Sequence, residues 1–171
     1  MARFALAAFM LYGPFLWCVL RRQSPQRYGL TWRWDPALVR SVLFWCGFTL
    51  IPLTGVAWFW PTGGIPRTIP WGGVGQLVMA GTTAAIVEEI FFRGWVQSSL
   101  RPWVGTMGRV VLVSALFAAS HMIFQSRPLF LATFFPGLIM GYLRERHDTV
   151  SAPLLYHALC NVWAVWFFPN P

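Results

Sequence analysis

The sequence predicts an all-α fold, a polytopic transmembrane helix bundle of about six spans that forms a single membrane domain over residues 1–171. Composition is the first observation, because 57% of the residues are hydrophobic and only 11% are charged, whereas soluble domains average about 25% charged residues. The second is a succession of apolar runs near the length of a membrane-spanning helix. The third is that arginines concentrate in alternate breaks between these runs.

Six apolar runs account for most of the chain. A helix that crosses a hydrocarbon core of about 30 Å needs roughly 20 apolar residues. The first run follows Arg3 and ends at Leu20, before Arg21, without a small-residue cleavage site, so we interpret it as a retained span rather than a signal peptide. The fourth and fifth runs are short, and the fifth contains Pro136, which favours tilted, broken or re-entrant segments there. The six runs are residues 4–20, 37–60, 72–95, 110–124, 128–143 and 150–168.

The arginines test this count, because cytoplasmic loops are enriched in basic residues. With six spans, ten arginines fall on one side and three on the other, which predicts that both termini lie outside the cytoplasm. All 13 basic residues are arginine, which we take to indicate a GC-rich genome and hence a bacterial inner membrane. The arginines are scattered among apolar runs, so membrane topology explains the net charge of +8 better than nucleic-acid binding does. The ten are Arg21, Arg22, Arg27, Arg33, Arg40, Arg93, Arg101, Arg109, Arg144 and Arg146; the three are Arg3, Arg67 and Arg127.

Two adjacent acidic residues, Glu88 and Glu89, lie inside the third apolar run. A charged side chain near the centre of a membrane helix costs about 2.5–3.5 kcal/mol on insertion scales, so this pair requires a reason. Glu89 precedes Arg93 by four residues, which predicts an ion pair on one helix face, and a structural and a functional role for Glu89 remain equally open. Glu88 points about 100° away with no basic residue at a matching offset, which favours function.

Polar residues also occur inside the fourth and sixth runs: His121, His157 and Asn161. A lone membrane histidine is often a hydrogen-bonded packing residue, but two histidines with Asn161 one turn after His157 weaken that explanation. Helix rise puts all three and Glu88 at overlapping depths, roughly 10–18 Å from the arginine-rich ends of their runs. Such a group can activate water, with a carboxylate as base and histidine and amide donors for an oxyanion.

Three spaced motifs in these runs resemble those of the CAAX-protease and bacteriocin-processing family, the Abi or glutamic intramembrane proteases. They are Glu88-Glu89-Ile-Phe-Phe-Arg93 for EExxxR, Phe117-Ala-Ala-Ser-His121 for FxxxH and His157-Ala-Leu-Cys-Asn161 for HxxxN, and they occupy a catalytic core of about residues 75–165. The resemblance implies a metal-independent endopeptidase without a cofactor. Glu88 and His121 would activate water, His157 and Asn161 would stabilise the oxyanion, and Glu89 and Arg93 would support the site. The length of the chain is also similar to that of the short bacterial JDVT-CTERM sorting type.

Other functions stay open from the sequence. Two glutamates and two histidines can ligate zinc or iron, although no HExxH helix is present. A membrane transporter or a peptide-binding immunity protein would use the same polar residues without catalysis, but a transporter should carry polar residues along a whole crossing. The expected partners are membrane lipid and a peptide or protein with a membrane-associated segment. Gly137 and Gly141 form a GxxxG step, which we expect to serve internal helix packing rather than a homodimer.

Overall fold

A computed structural model describes residues 2–59, 66–124 and 127–168. Over these residues the chain forms six main α-helices and no β-strand, which confirms the all-α class. They are α1 (Ala2–Leu20), α2 (Pro36–Trp58), α3 (Trp71–Glu89, continued by Ile90–Val96 and Gln97–Ser99), α4 (Thr106–Phe124), α5 (Phe134–His147) and α6 (Ser151–Phe167).

The helices match five of the six predicted runs closely, and the fifth run differs. Residues Pro128–Thr133 form a 3₁₀ helix before α5 begins. Helix α5 then continues to His147, so Glu145, which follows the predicted fifth run, also lies on a helix. With 14 residues, α5 is about 21 Å long, which is shorter than a hydrocarbon core. Trp60, the expected end of the second run, lies outside the described residues.

Two of the described helices, Pro36–Trp58 and Trp71–Ser99, are both long and apolar enough to cross a membrane, and Phe4–Leu20 and Thr106–Met122 are shorter apolar helices. Large apolar side chains are exposed along their outer faces, including Phe44, Phe48 and Ile51 on α2. An exposed apolar surface of this extent suits lipid and not water. The helices therefore indicate a membrane protein, while the count of six spans remains a prediction.

The middle of α3 is π-helical from Ile90 to Val96. Its hydrogen bonds reach five residues back, as the Gln97 amide does to the Phe92 carbonyl, and such segments concentrate at functional sites. Gly94 packs so closely on the connection between α1 and α2 that an added Cβ would lie 2.4 Å from Leu30 Cδ2. The result is a face on which Glu89, Arg93 and Gln97, four residues apart, are all buried.

The GxxxG step on α5 packs against this face and against α4. An added Cβ on Gly137 would lie 3.2 Å from Ser114 Cβ, and one on Gly141 would lie 2.9 Å from Val110 Cγ1. These close contacts show that both glycines take part in internal helix packing. The carbonyls of the same two glycines accept hydrogen bonds from α3. Arg93 donates to the Gly137 carbonyl at 3.3 Å, and Gln97 donates to the Gly141 carbonyl at 3.1 Å.

Three arginine-bearing connections meet at one end of the bundle. Arg33 donates to the His147 carbonyl at 2.8 Å, Arg101 pairs with Asp148 at 2.8 Å, and Arg109 bonds Glu145 at 2.9 Å. Burial raises the pKa of Asp148, but hydrogen bonds from Arg101 and Arg144 outweigh burial, so its pKa lies below the ordinary value. The loops that the arginine count assigned to one side therefore do lie together.

Arg144 also lies at this end of the bundle, but its side chain is completely buried, at 0% exposed. It donates to Ser98 at 3.0 Å and to Asp148 at 2.9 Å, and its position in a charged stretch gave no sign of burial. It is a structural tie between α3, α5 and the loop after α5.

Candidate functional site

The two adjacent glutamates of α3 have different surroundings. The Glu88 side chain is 25% exposed and the Glu89 side chain 1% exposed. Neighbouring residues on a helix point about 100° apart, so one carboxylate faces a cavity while the other enters the bundle. The two are thereby suited to different tasks.

Glu89 is held by an ion pair with Arg93. Arg93 Nη1 lies 3.2 Å from Glu89 Oε1 and neither side chain is more than 1% exposed, so the ion pair expected from the four-residue spacing is confirmed. Arg93 also donates to the Gly137 carbonyl, and its guanidinium lies over the Phe117 ring at 4.3 Å. A buried charge pair needs such additional contacts to offset its desolvation.

His157 of α6 lies between the two glutamates. Its Nδ1 is 2.9 Å from Glu89 Oε1, and its Nε2 is 3.7 Å from Glu88 Oε2. Since the Arg93-paired carboxylate accepts, Nδ1 is the donor, and the Glu89 bond fixes the ring orientation as a carboxylate does for a catalytic histidine. The separation of Nε2 from Glu88 exceeds a direct hydrogen bond.

A cavity of about 490 Å³ extends from Glu88 between α1, α3 and α4. His121 and Ser120 line it from α4, together with Thr83 from α3, and the remaining lining is apolar. His121 Nδ1 lies 3.0 Å from the Phe117 carbonyl, which can only accept, so Nδ1 carries a proton and Nε2 can accept a hydrogen bond from water. Glu88 and His121 thus share one largely apolar cavity.

Asn161 is set apart from this group. Its Nδ2 donates to the Gly81 carbonyl at 2.9 Å, and Gly81 precedes Glu88 by seven residues, or about 10 Å of helix. The close approach depends on glycine, because an added Cβ would lie 3.1 Å from Asn161 Cβ. The structure brings Glu88, Glu89, Arg93 and His157 into one cluster and His121 onto the cavity beside it, with Asn161 one turn of α6 away.

Phe117, the first residue of the FxxxH motif, is a site residue to which the sequence analysis assigned no role. Its ring contacts His121 edge-on at 4.6 Å and His157 at 5.6 Å between centroids, and it receives the Arg93 cation on its face. Its place four residues before His121 was the available signal. Gln97, Thr83 and Ser120 had no such signal, because polar residues of these types are common on helices.

Among the described residues, no group of three or more His, Cys, Asp or Glu side chains is arranged to hold a metal ion.

Residues 70–163 match the model of one protein family, the type II CAAX prenyl endopeptidase Rce1-like family. A comparison with curated proteins and one with solved structures found no match. The family match covers more than half of the chain and includes every predicted site residue, from Glu88 on α3 to Asn161 on α6. The chain therefore belongs to the type II CAAX prenyl endopeptidase Rce1-like family, and this membership implies a CAAX-type intramembrane protease.

Proposed function

We propose that the chain hydrolyses a peptide bond with Glu88 as the general base. The observation that carries the proposal is the carboxylate of Glu88, partly exposed in a largely apolar cavity that it shares with His121 and 3.7 Å from His157 Nε2. A base needs access to water and to the substrate, and Glu88 has more access than the buried Glu89. General-base catalysis of this kind contributes about 10²–10⁴-fold to rate.

The reaction begins with a water molecule between Glu88 and His121. Glu88 takes a proton from the water while His121 Nε2 accepts the second hydrogen as a hydrogen bond, and the oxygen attacks the scissile carbonyl carbon. The resulting tetrahedral oxyanion collapses, the C–N bond breaks, and Glu88 returns its proton to the leaving nitrogen. The carboxylate is then restored, and one water has been consumed.

Hydrogen-bond donors on α6 would stabilise the oxyanion. Because His157 Nδ1–H is committed to Glu89, donation from Nε2 requires a ring that carries both protons. The two carboxylates, Glu88 and Glu89, would together balance the positive charges of that ring and of Arg93. One Asn161 amide hydrogen bonds the Gly81 carbonyl, which leaves the second hydrogen for the oxyanion. Fixed donors of this type are worth about 10²–10³-fold each.

The substrate class is a peptide or protein with a membrane-associated segment, cleaved near its C-terminus or leader. A prenylated C-terminus, a bacteriocin leader and a sorting peptide all satisfy this description. We further propose that the protein lies in a bacterial inner membrane with both termini outside the cytoplasm, supported by the arginine-bearing loops that meet at one end.

The test compares purified variants on a fluorogenic farnesylated peptide that ends in a CAAX sequence, and on host membrane proteins whose termini are mapped by mass spectrometry. Glu88→Gln and His121→Ala are expected to lose cleavage by at least about 100-fold while still inserting into the membrane. His147→Ala is the matched control for the histidine, because His147 lies at the arginine-rich end and does not line the cavity, and it should cleave as the wild type does.

Full activity in Glu88→Gln would overturn the assignment of the base. Loss of activity on chelation with recovery on added zinc would replace the mechanism with a metal-dependent one. Specific peptide binding without any cleaved terminus would favour an immunity or transport protein instead.

A further inference from the structure

Helix α1 forms one wall of the cavity that contains Glu88. Leu6, Ala7 and Met10 line the cavity from α1, although α1 lies wholly outside the residues that match the family model. Helix α1 packs on α3 and its π-helical segment. The cavity boundary on this side is therefore supplied by a part of the chain that the family match does not cover.

The aromatic contacts between α1 and α3 fix the level of this wall. The Phe9 ring lies 5.8 Å from the Phe91 ring, and the Trp17 ring lies 6.0 Å from the Trp95 ring, so the two helices run in the same direction. Counted back from the Phe9–Phe91 contact and from the Trp17–Trp95 contact, Ala7 lies within about one helical turn of the level of Glu88. Ala7 and the proposed base therefore line the same part of the cavity.

The shape of the cavity suits an extended apolar peptide. Along α3 the lining extends from Ala80 to Phe92, a length of about 18 Å. An extended peptide rises about 3.3 Å per residue, so this length corresponds to about five residues. Apart from Thr83, Glu88, Ser120 and His121, the lining side chains are apolar, which disfavours charged residues beside the scissile bond.

We infer that α1 selects the substrate, with Ala7 setting the largest side chain that fits beside the scissile bond and Leu6 and Met10 contacting its apolar neighbours. This inference rests on the proposed function, since it assigns the specificity of that same site. The small side chain of Ala7 leaves room for a large apolar residue in the cavity that Glu88 also lines. A larger residue at position 7 fills that room.

The experiment measures cleavage of reporter peptides in which the residue on each side of the scissile bond is varied from Ala through Val and Leu to Phe. Ala7→Phe is expected to lower kcat/KM for the Phe-containing peptides relative to the Ala-containing ones by about tenfold or more, the discrimination that an apolar pocket provides. Ala5→Phe is the matched control, because Ala5 is exposed on the same helix and does not line the cavity. It should keep the wild-type preference.

A second measurement reports contact independently of turnover. A photoreactive benzoylphenylalanine at position 7, in the Glu88→Gln background, should cross-link to the reporter peptide, and the same group at position 5 should not. Wild-type cleavage with an unchanged preference in Ala7→Phe would refute the role of α1 and leave the proposed protease intact. Absence of cleavage in the wild type would refute the protease, and absence of cross-linking at position 7 would refute the contact by itself.

Discussion

The buried ion pair between Arg93 and Glu89 gives the sharpest prediction for stability. Its atoms are 3.2 Å apart and both side chains are at most 1% exposed. At an effective dielectric constant of about 20, two unit charges at that distance interact by about 5 kcal/mol. Removing one partner of a buried pair typically costs about 3–5 kcal/mol, because the other charge is left uncompensated.

Arg93→Met keeps an unbranched side chain beside Phe117 and removes the charge. We expect it to lower the free energy of unfolding by about 3–5 kcal/mol, measured by steric trapping or denaturant titration in detergent micelles. Glu89→Gln should cost a similar amount, because it leaves the Arg93 cation buried. The double variant should be more stable than either single variant, since no uncompensated charge remains.

Arg101→Met is the matched control. Arg101 also pairs with an acidic residue, at 2.8 Å from Asp148, but the two side chains are 36% and 61% exposed. Exposed pairs contribute about 0–1 kcal/mol, so this variant should be nearly as stable as the wild type. Equal losses for Arg93→Met and Arg101→Met, or a double variant whose loss is the sum of the two single losses, would refute the reasoning.

Two further predictions concern the oxyanion side and the topology. Gly81→Ala should lower kcat by about threefold to tenfold, because its Cβ would lie 3.1 Å from Asn161 Cβ. Gly75→Ala on the same helix is the control, because its added Cβ meets nothing within 4 Å, and it should match the wild type. Equal kinetics in both variants would refute the positioning role of Gly81. Alkaline phosphatase, which is active only outside the cytoplasm, should be active when fused after the last residue and inactive when inserted in the 100–105 connection; the opposite pattern would invert the proposed orientation.

The sequence by itself determined the fold class and most members of the candidate site. Apolar runs of membrane-spanning length leave few ways to satisfy the backbone other than helices. Glu88, Glu89 and His157 were recognisable because ionisable residues inside such runs are costly. The four-residue spacing was also sufficient to predict the Glu89–Arg93 ion pair, since residues four apart share a helix face.

Only the tertiary structure decided which glutamate faces the cavity, because that depends on how α3 is rotated against α1 and α6. It also decided that His157 bonds Glu89 rather than Glu88, a contact between residues 68 positions apart that local periodicity does not encode. The π-helical turn and the burial of Arg144 likewise follow from packing, since helix register and burial depend on neighbouring helices. The contribution of α1 to the cavity also depends on tertiary structure, because the cavity is formed by several packed helices and cannot be read from any one apolar run.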